Sequence, residues 1–244
     1  MRILVSIDDT DNLYSPGTGE LAAEIARMIR TMNWGETFFV TRHQLLVHPD
    51  IPYTSHNSSM CFAADVDPAC LEGLIAEAGE FLRREAAPGS DPGLCVVRQD
   101  SLGDGQALLD FGLAAKARVL RKEEAYVLAG ASNIHLSEHG GTGLGVIGAL
   151  AGAGLRFSGN DGRMRGRLTL GQGPLSVQAL RAHRDVDVVQ TPSGEVVPDT
   201  QRVSLGTRVK TVLRGGRSTL LVMADPSCAE APWRTCSNEE LKDY

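Results

Sequence analysis

The sequence predicts a mixed α+β fold: a ferredoxin-like β-α-β-β-α-β part at the N-terminus, followed by a second α+β part that ends in β-hairpins. Short apolar runs predict strands, and apolar residues at helical spacing lie between them in that order. Beyond residue 155, short β-like runs separated by glycine- and proline-containing turns predict the hairpins. We therefore expect two domains, residues 1–100 and residues 101–244.

The first part begins with an alternating strand at residues 2–8, and apolar residues at helical spacing predict a helix at 17–32. A strand-like run at 37–47, a polar loop at 48–59 and a strand at 60–66 follow. Asp67 and Pro68 are typical of a helix start, with the aspartate as N-cap and the proline at the first helical position. A strand at 94–97 completes the part.

The second part begins with predicted helices at 107–120 and 123–131. A glycine-dense turn at 140–145 then leads into a helix of small residues at 146–153. Strands are expected at 163–170, 186–190 and 195–197, and the runs 209–213 and 218–223 form a predicted hairpin around Gly215-Gly216. The residues after Asp225 are expected to be weakly ordered.

Composition excludes some function classes. The net charge of −6 argues against a broad nucleic-acid surface, and 5% aromatic residues argue against a stacking platform for single strands. The sequence has no apolar run of membrane-spanning length and no signal peptide, so we expect no membrane partner. Five cysteines without a C-x-x-C motif indicate neither a zinc ribbon nor a disulfide framework, which favours a cytoplasmic location.

Three carboxylates, Asp8, Asp9 and Asp11, follow the first predicted strand within four positions. Because like charges repel, such a cluster indicates a bound cation, and Mg²⁺ prefers oxygen ligands completed by phosphate. The sequence Gly17-Thr18-Gly19 follows at a predicted helix start, where backbone N–H groups favour phosphates. The alternative is an Asx-type turn that caps the helix, with Ser15 as N-cap and Pro16 at the first helical position.

Thr18 is the candidate residue for phosphoryl chemistry. Flanked by glycines and close to the carboxylates, its hydroxyl can contact a phosphate or the metal, or can itself accept a phosphoryl group. Phosphoryl transfer depends mainly on positioning and charge neutralisation, which carboxylate-bound Mg²⁺ and helix amides supply. The alternative role is backbone capping alone.

The loop at residues 48–59 is the candidate substrate-binding element, since loops on a rigid sheet commonly carry binding residues. Its candidate contacts are His48, Tyr53, His56 and Asn57. In the preceding strand, alternation allows only one of Arg42 and His43 to face the same site. The alternative is an ordinary polar loop.

A second glycine-rich turn, with Gly141, Thr142, Gly143 and Gly145, precedes a predicted helix and is a further candidate for phosphate binding. It is not a Walker motif, because the Gly-Lys-Ser/Thr ending is absent. Glycines in the helix that follows are equally consistent with close helix packing. Just upstream, His135 to His139 match the H-x-x-E-H spacing of inverted zinc proteases, but that chemistry needs a sustained helix, which the following glycines disfavour.

Several segments together resemble one family, the archaeal tRNA-isoleucine agmatinylcytidine synthetases. They are Ile7-Asp8-Asp9-Thr10-Asp11, Thr18, His48-Pro49-Asp50-Ile51-Pro52-Tyr53, and Gly141-Thr142-Gly143-Leu144-Gly145 with the residues up to Leu150. The resemblance spans roughly residues 1 to 160. It implies ATP and Mg²⁺ as cofactors, Mg²⁺ and phosphate contacts for the three aspartates, a phosphoryl-accepting role for Thr18, and ATP-contacting backbone at residues 141–145.

The chain also departs from that family. The family's Ile-Pro-Tyr segment continues into a Lys-Thr-Arg-Gly-Asn-like stretch, whereas here Thr54-Ser55-His56-Asn57-Ser58 follows and both cations are absent. The family's tRNA-binding OB-fold and zinc ribbon have no counterpart in the remaining residues, so the chain resembles a shortened relative.

These features predict an ATP- and Mg²⁺-dependent, kinase-like ligase that phosphorylates an oxygen and lets an amine displace it. A small-molecule acceptor is the expected partner. One alternative is a tRNA cytidine-modifying ligase that works with a partner protein, and another is a non-catalytic module that binds a nucleotide or an amine.

Overall fold

A central antiparallel sheet organises the first of the two units into which the chain divides, Met1–Ser158. The computed structural model describes residues 1–53, 56–242 and 244. The strands of this unit are β1 (Arg2–Asp8), β2 (Gly35–Thr37), β3 (Thr41–Gln44), β4 (Ser58–Val66), β5 (Gly93–Arg98) and β6 (His135–Glu138). Their order is β6-β5-β1-β4-β3, every pair is antiparallel, and β2 also pairs with β4.

Helices cover both faces of this sheet. They are α1 (Thr18–Thr31), α2 (Leu71–Glu85), α3 (Gln106–Ala117), α4 (Lys122–Ala131) and α5 (Gly145–Phe157). Because strand side chains alternate between faces, Ile3, Val5 and Ile7 of β1 pack in one core with α1 and α2. Leu4 packs in the opposite core with α3 and α5, together with the fully buried Cys61 and Cys95.

The element order follows the predicted β-α-β-β-α-β sequence, and the mixed α+β class is confirmed. Of the run predicted at 37–47, only Thr41–Gln44 forms a strand, β3, while β2 ends at Thr37 and is an additional short strand. Strand β6 adds an unpredicted edge strand. The ferredoxin-like assignment of residues 1–100 therefore stays a prediction. The compact unit extends to Ser158 rather than to residue 100, because α3 and α5 supply the core on the second face of the sheet.

The second unit, Gly159–Tyr244, contains α6 (Val177–Arg181) and short strands. These are β7 (Arg163–Met164), β8 (Leu175–Ser176), β9 (Val188–Gln190), β10 (Arg202–Ser204), β11 (Val212–Arg214), β12 (Arg217–Ala224) and β13 (Trp233–Thr235). The predicted hairpin is confirmed as the antiparallel pair β11–β12, while the strand predicted at 163–170 is limited to β7.

The prediction of weak order after Asp225 is wrong. Strand β13 pairs with β12 and β10, and Cys236 and Leu241 are buried in a small core with Val212 and Leu221. Among the helices of the described residues, none has the length and apolar character that crossing a bilayer requires.

Candidate functional site

A cavity of about 350 Å³ opens in the first unit where β1 ends. It lies beside the start of α1, the first turns of α5 and the loop between β3 and β4. Ten of the predicted site residues line it: Asp8, Asp9, Asp11, Gly17, Thr18, Gly19, Tyr53, His56, Asn57 and Gly145. Segments far apart in the chain therefore meet at one concave surface.

Four predicted site residues lie outside the lining. His48 is in the same loop as Tyr53, but its Nδ1 accepts a hydrogen bond from the backbone N–H of Asp50 at 3.2 Å. Gly141, Thr142 and Gly143 precede α5 without facing the cavity. Thr54 and Ser55, at which the chain departs from the resembling family, lie outside the described residues.

The register of β1 directs Asp8 towards α5. Asp8 has the same parity as Leu4, whose side chain packs in the core with α5, so its carboxylate emerges on that face of the sheet. A Cβ on Gly148 of α5 would stand 1.7 Å from Asp8 Oδ2. Glycine at 148 is therefore what allows the helix to approach this carboxylate.

The turn from Asp8 to Asp11, called the acidic turn below, brings like charges together in a partly buried place. Burial, followed by repulsion from Asp9, raises the pKa of Asp8 to about 8. Burial, followed by repulsion from Asp91, raises the pKa of Asp9 to about 6. Asp9 also has a backbone φ of 51°, a left-handed conformation that aspartate adopts more readily than most residues. The turn thus concentrates negative charge where a cation would relieve the repulsion.

The carboxylates suit Mg²⁺ only as a partial ligand set. Within residues 1–53, 56–242 and 244, no three His, Cys, Asp or Glu side chains converge to hold a metal ion by themselves. The expectation that Asp8, Asp9 and Asp11 hold Mg²⁺ together with phosphate therefore stays a prediction. Hard oxygen donors are nevertheless present, and Mg²⁺ commonly takes one or two carboxylates and completes its shell with water and phosphate.

The start of α1 faces the same cavity. Gly17 is the N-cap residue and makes no side-chain capping bond, so the predicted cap by Ser15 with Pro16 as the first helical residue is wrong. Asp11 takes that place, because its Oδ2 accepts from the backbone N–H of Thr18 at 3.3 Å. Thr18 is the first residue of α1, is 6% exposed and lies beside the acidic turn.

The other side of the cavity carries positive and hydrogen-bonding groups. Arg42 lines it and donates through Nε to Ser58 Oγ at 2.9 Å, whereas His43 is fully buried and lies 2.7 Å from Thr41 Oγ1 through Nε2. This confirms that only one of Arg42 and His43 faces the site. Arg118 also lines the cavity and pairs with Glu124 at 2.7 Å.

The loop at residues 48–59 contributes one side chain that is held by a hydrogen bond within the protein and one that is exposed. Asn57 lines the cavity, but its Nδ2 donates to the carbonyl oxygen of Leu46 at 2.7 Å and so holds the loop to the chain that enters it. Tyr53 is 46% exposed at the cavity. Its ring therefore offers a ligand accessible apolar surface at the cavity, together with Val119 and Leu144.

The second glycine-rich turn is bound to a carboxylate of the protein. Thr142 donates its backbone N–H to Asp91 Oδ1 at 2.7 Å and its hydroxyl to Asp91 Oδ2, while the N–H of Leu144 reaches Oδ2 at 3.4 Å. Partial burial raises the pKa of Asp91, but these hydrogen bonds outweigh it and hold the pKa below its ordinary value. Two of the backbone amides predicted to contact ATP, those of Thr142 and Leu144, thus already have an anionic partner.

The glycines of α5 serve close packing. A Cβ on Gly152 would lie 2.2 Å from Ser59 Oγ, and one on Gly145 would lie 2.0 Å from the carbonyl oxygen of Asp91. This is the packing alternative that the sequence offered for these glycines. It also explains how α5 brings the cavity wall close to Asp8.

The H-x-x-E-H segment is not a metal-binding helix. His135 to Glu138 form the edge strand β6. Ser137 Oγ lies between the two imidazoles, 2.9 Å from His135 Nε2 and 2.8 Å from His139 Nε2. Arg83 Nη1 lies 2.9 Å from the other ring nitrogen of His139, Nδ1. The segment is therefore a chain of hydrogen bonds at the surface.

Sequence reasoning missed Asp91, Arg118 and Gly148. Asp91 lies in a segment predicted as a turn, where an aspartate is ordinary, and its contacts with Thr142 span 51 positions. Arg118 ends a predicted helix far along the chain from the acidic turn. Only the glycine spacing of α5 gave a signal, and it pointed to packing rather than to the site.

No family model matches the sequence, and no curated protein matches it significantly. Solved structures do match. The crystal structure of apo TiaS, an agmatidine synthetase that acts on an isoleucine tRNA, shares 28% identity over 63% of this chain and 35% of that chain, with a TM-score of 0.54. A tRNA fluorescent labeling enzyme shares 29% identity over 63% of this chain and 36% of that one, with a TM-score of 0.53.

A complex of TiaS with its isoleucine tRNA and ATP covers 82% of this chain and 50% of that chain at 23% identity, with a TM-score of 0.57. At this identity the match shows the shared fold alone. The chain thus spans about a third to a half of the length of these structures. The resemblance predicted from the sequence is confirmed: in structure this chain is similar to TiaS, a tRNA-isoleucine agmatidine synthetase.

Proposed function

We propose that this protein is an ATP- and Mg²⁺-dependent enzyme that phosphorylates an oxygen of its acceptor and lets an amine displace the phosphate. One observation carries the proposal: the carboxylates of the acidic turn, the start of α1 and Thr18 line one cavity. The proposal also draws on the similarity to TiaS, an agmatidine synthetase.

Asp8, Asp9 and Asp11 are the residues that would hold Mg²⁺, one or two at a time. When bound, the ion neutralises phosphate charge and orients the phosphoryl group. Without a cation, burial and mutual repulsion disfavour the ionised forms of Asp8 and Asp9, which fits a site built to receive one. Gly17, Thr18, Gly19 and Gly145 would place backbone N–H groups of two helix starts near the phosphates.

Thr18 is proposed as the residue that contacts or accepts the phosphoryl group. Its oxygen would form a bond to the γ-phosphorus as the bond to ADP breaks, and the phosphoryl group would then pass to the acceptor oxygen. The amine nitrogen would bond to the activated carbon and release inorganic phosphate. Arg42, His56 and Asn57 line the same cavity and would orient the acceptor.

A small molecule is proposed as the acceptor, because a cavity of about 350 Å³ suits a ligand of that size. A tRNA is the second candidate, favoured by the structural neighbours, one of which was solved as a complex with a tRNA and ATP. Tyr53, exposed at the cavity, offers a ring on which a base of either acceptor can stack.

The test is incubation of the protein with Mg²⁺ and ATP, with and without agmatine or other amines, nucleosides and tRNA. We expect ATP turnover and a phosphate on Thr18, detected by mass spectrometry. Thr18→Ala should lose the modification and reduce turnover by at least about 100-fold, while Thr18→Ser keeps the hydroxyl and retains part of both. ATP binding without turnover in every combination would favour the non-catalytic module.

A further inference from the structure

Asp91 connects the acidic turn to the second glycine-rich turn. It lies between α2 and β5, in a segment tied to the acidic turn by the hydrogen bond from the backbone N–H of Ala87 to the carbonyl oxygen of Thr10, at 2.9 Å. The backbone N–H of Asp91 lowers the pKa of Asp9, against the larger opposing effects of burial and of the Asp91 carboxylate. That carboxylate accepts the bonds from Thr142 and Leu144 described above.

The carboxylate of Asp91 occupies the anion position of the glycine-rich turn. Two backbone N–H groups and one hydroxyl converge on it, which is the arrangement that such turns offer to a phosphate. The turn is also held from its other side, because Lys122 Nζ donates to the carbonyl oxygen of Thr142 at 2.9 Å. A phosphate here would have to displace Asp91 and then lie next to its charge.

The same segment seats the first turn of α5. A Cβ on Gly93 would lie 2.3 Å from the carbonyl carbon of Gly145, and a Cβ on Gly145 would lie 2.0 Å from the carbonyl oxygen of Asp91. One turn further along, Gly148 faces Asp8 Oδ2. The position of residues 91–93 therefore fixes where α5 meets the acidic turn.

We infer that Asp91 is a positioning residue: its carboxylate, rather than a nucleotide phosphate, accepts from the backbone N–H groups of Thr142 and Leu144, and so holds the start of α5 against Asp8 and Asp9. The consequence for ATP use rests on the proposed function. The contact by which Asp91 holds the second glycine-rich turn does not depend on that function. Nucleotide phosphates would then be bound at the start of α1 and at Gly145, not at Gly141, Thr142 and Gly143.

The test compares Asp91→Ala and Asp91→Asn in the full chain. Asparagine keeps an oxygen that accepts from the N–H of Thr142, and its NH2 group can donate to the Thr142 hydroxyl, so it loses only the longest bond, from the N–H of Leu144 at 3.4 Å. Alanine removes all three bonds. The matched control is Asp67→Ala, which also removes a carboxylate that accepts a backbone N–H, from Ala69 at 2.9 Å, at the opposite end of β4 from the cavity. Hydrogen exchange of the peptide 139–147 and the affinity for Mg-ATP are measured in each variant.

We expect Asp91→Ala to accelerate exchange in that peptide and to weaken Mg-ATP binding about tenfold, the factor typical of one lost charge-assisted hydrogen bond. Asp91→Asn should remain close to the wild type in both, and Asp67→Ala should change neither. If hydrogen exchange of this peptide is the same in Asp91→Ala and the wild type, the inference that Asp91 holds the turn is overturned. Faster exchange with unchanged or tighter ATP binding would overturn the positioning role, since tighter binding means that Asp91 competes with a phosphate. If the wild type binds no ATP and Asp91→Ala still exchanges faster than the wild type in this peptide, the proposed function is contradicted. The inference that Asp91 holds the second glycine-rich turn would remain supported.

Discussion

Two turns of the first unit contain glycines and lead into helices, yet their surroundings differ. Residues 8–19 keep three carboxylates and the start of α1 on the cavity wall. In residues 139–145 the backbone N–H groups of Thr142 and Leu144 donate to Asp91, and of the glycines only Gly145 lines the cavity. In the first turn a protein carboxylate accepts one backbone N–H, that of Thr18 at 3.3 Å, whereas in the second turn two backbone N–H groups and a hydroxyl converge on one carboxylate. The comparison teaches that a glycine-rich turn before a helix is open to phosphate only to the extent that side chains of the protein leave its donors and its access to the cavity free.

The glycines of the two turns also have different conformations. Gly17 has a φ of −71° and space for a Cβ, since the nearest atom, Asp11 Oδ2, would lie 3.5 Å away. Gly141 and Gly143 have φ values of 57° and 77°, and a Cβ on either would overlap a carboxylate. Glycine is therefore obligatory in the second turn for structural reasons, whereas the backbone at position 17 accepts other residues.

The largest expected effect separates the carboxylates of the two turns. Asp8→Asn should reduce ATP turnover by at least about 100-fold, because it removes a charge that would bind the metal and its phosphates. Asp91→Asn should leave most of the turnover, since the asparagine preserves the bond to Thr142. Steady-state kinetics at saturating Mg²⁺ measures both, and equal losses in the two variants would break the distinction between the turns.

An intermediate effect is expected on stability. Gly143→Ala should lower the free energy of unfolding by about 1–3 kcal/mol, because the left-handed backbone and the overlap with Glu138 both oppose a Cβ. Gly17→Ala should change it by less than about 0.5 kcal/mol. Urea unfolding followed by circular dichroism compares the pair. A loss at Gly17 as large as that at Gly143 would show that both turns are structurally constrained.

The smallest effect concerns pH. The pKa of Asp8 in the folded protein, about 8, exceeds its ordinary value of 3.8, so this group favours folding below the ordinary pKa and loses that contribution as pH rises towards 8. Without Mg²⁺, Asp8→Asn should therefore gain Tm relative to the wild type as pH rises from 5 to 8.5. A realised difference of 1 kcal/mol corresponds to about 2–4 °C. A constant Tm difference across this range would contradict the raised pKa.

Much of the first unit could be predicted from sequence, because its elements have local signals. The alternation in β1, the helical spacing of α1 and the start signal at Asp67-Pro68 each depend on neighbouring residues, and Asp67 does accept the N–H of Ala69. Strand β6 was missed because its short polar run, His135–Glu138, is recognisable only through its pairing with β5.

The candidate site was predictable where it depends on local charge and not where it depends on contacts between distant segments. Asp8, Asp9, Asp11 and Thr18 belong to one short segment whose composition indicates a ligand. The opposite wall, with Arg42 and Arg118, and the capture of Thr142 by Asp91 require the fold, since no local pattern relates residues 91 and 142.

The most direct test of the central claim, that the acidic turn after β1 binds Mg-ATP, is a calorimetric titration of the wild type and Asp8→Asn with ATP, with and without Mg²⁺. We expect saturable binding to the wild type that requires Mg²⁺ and is lost in Asp8→Asn. Binding that is equal in the two proteins, or that needs no Mg²⁺, would contradict the claim.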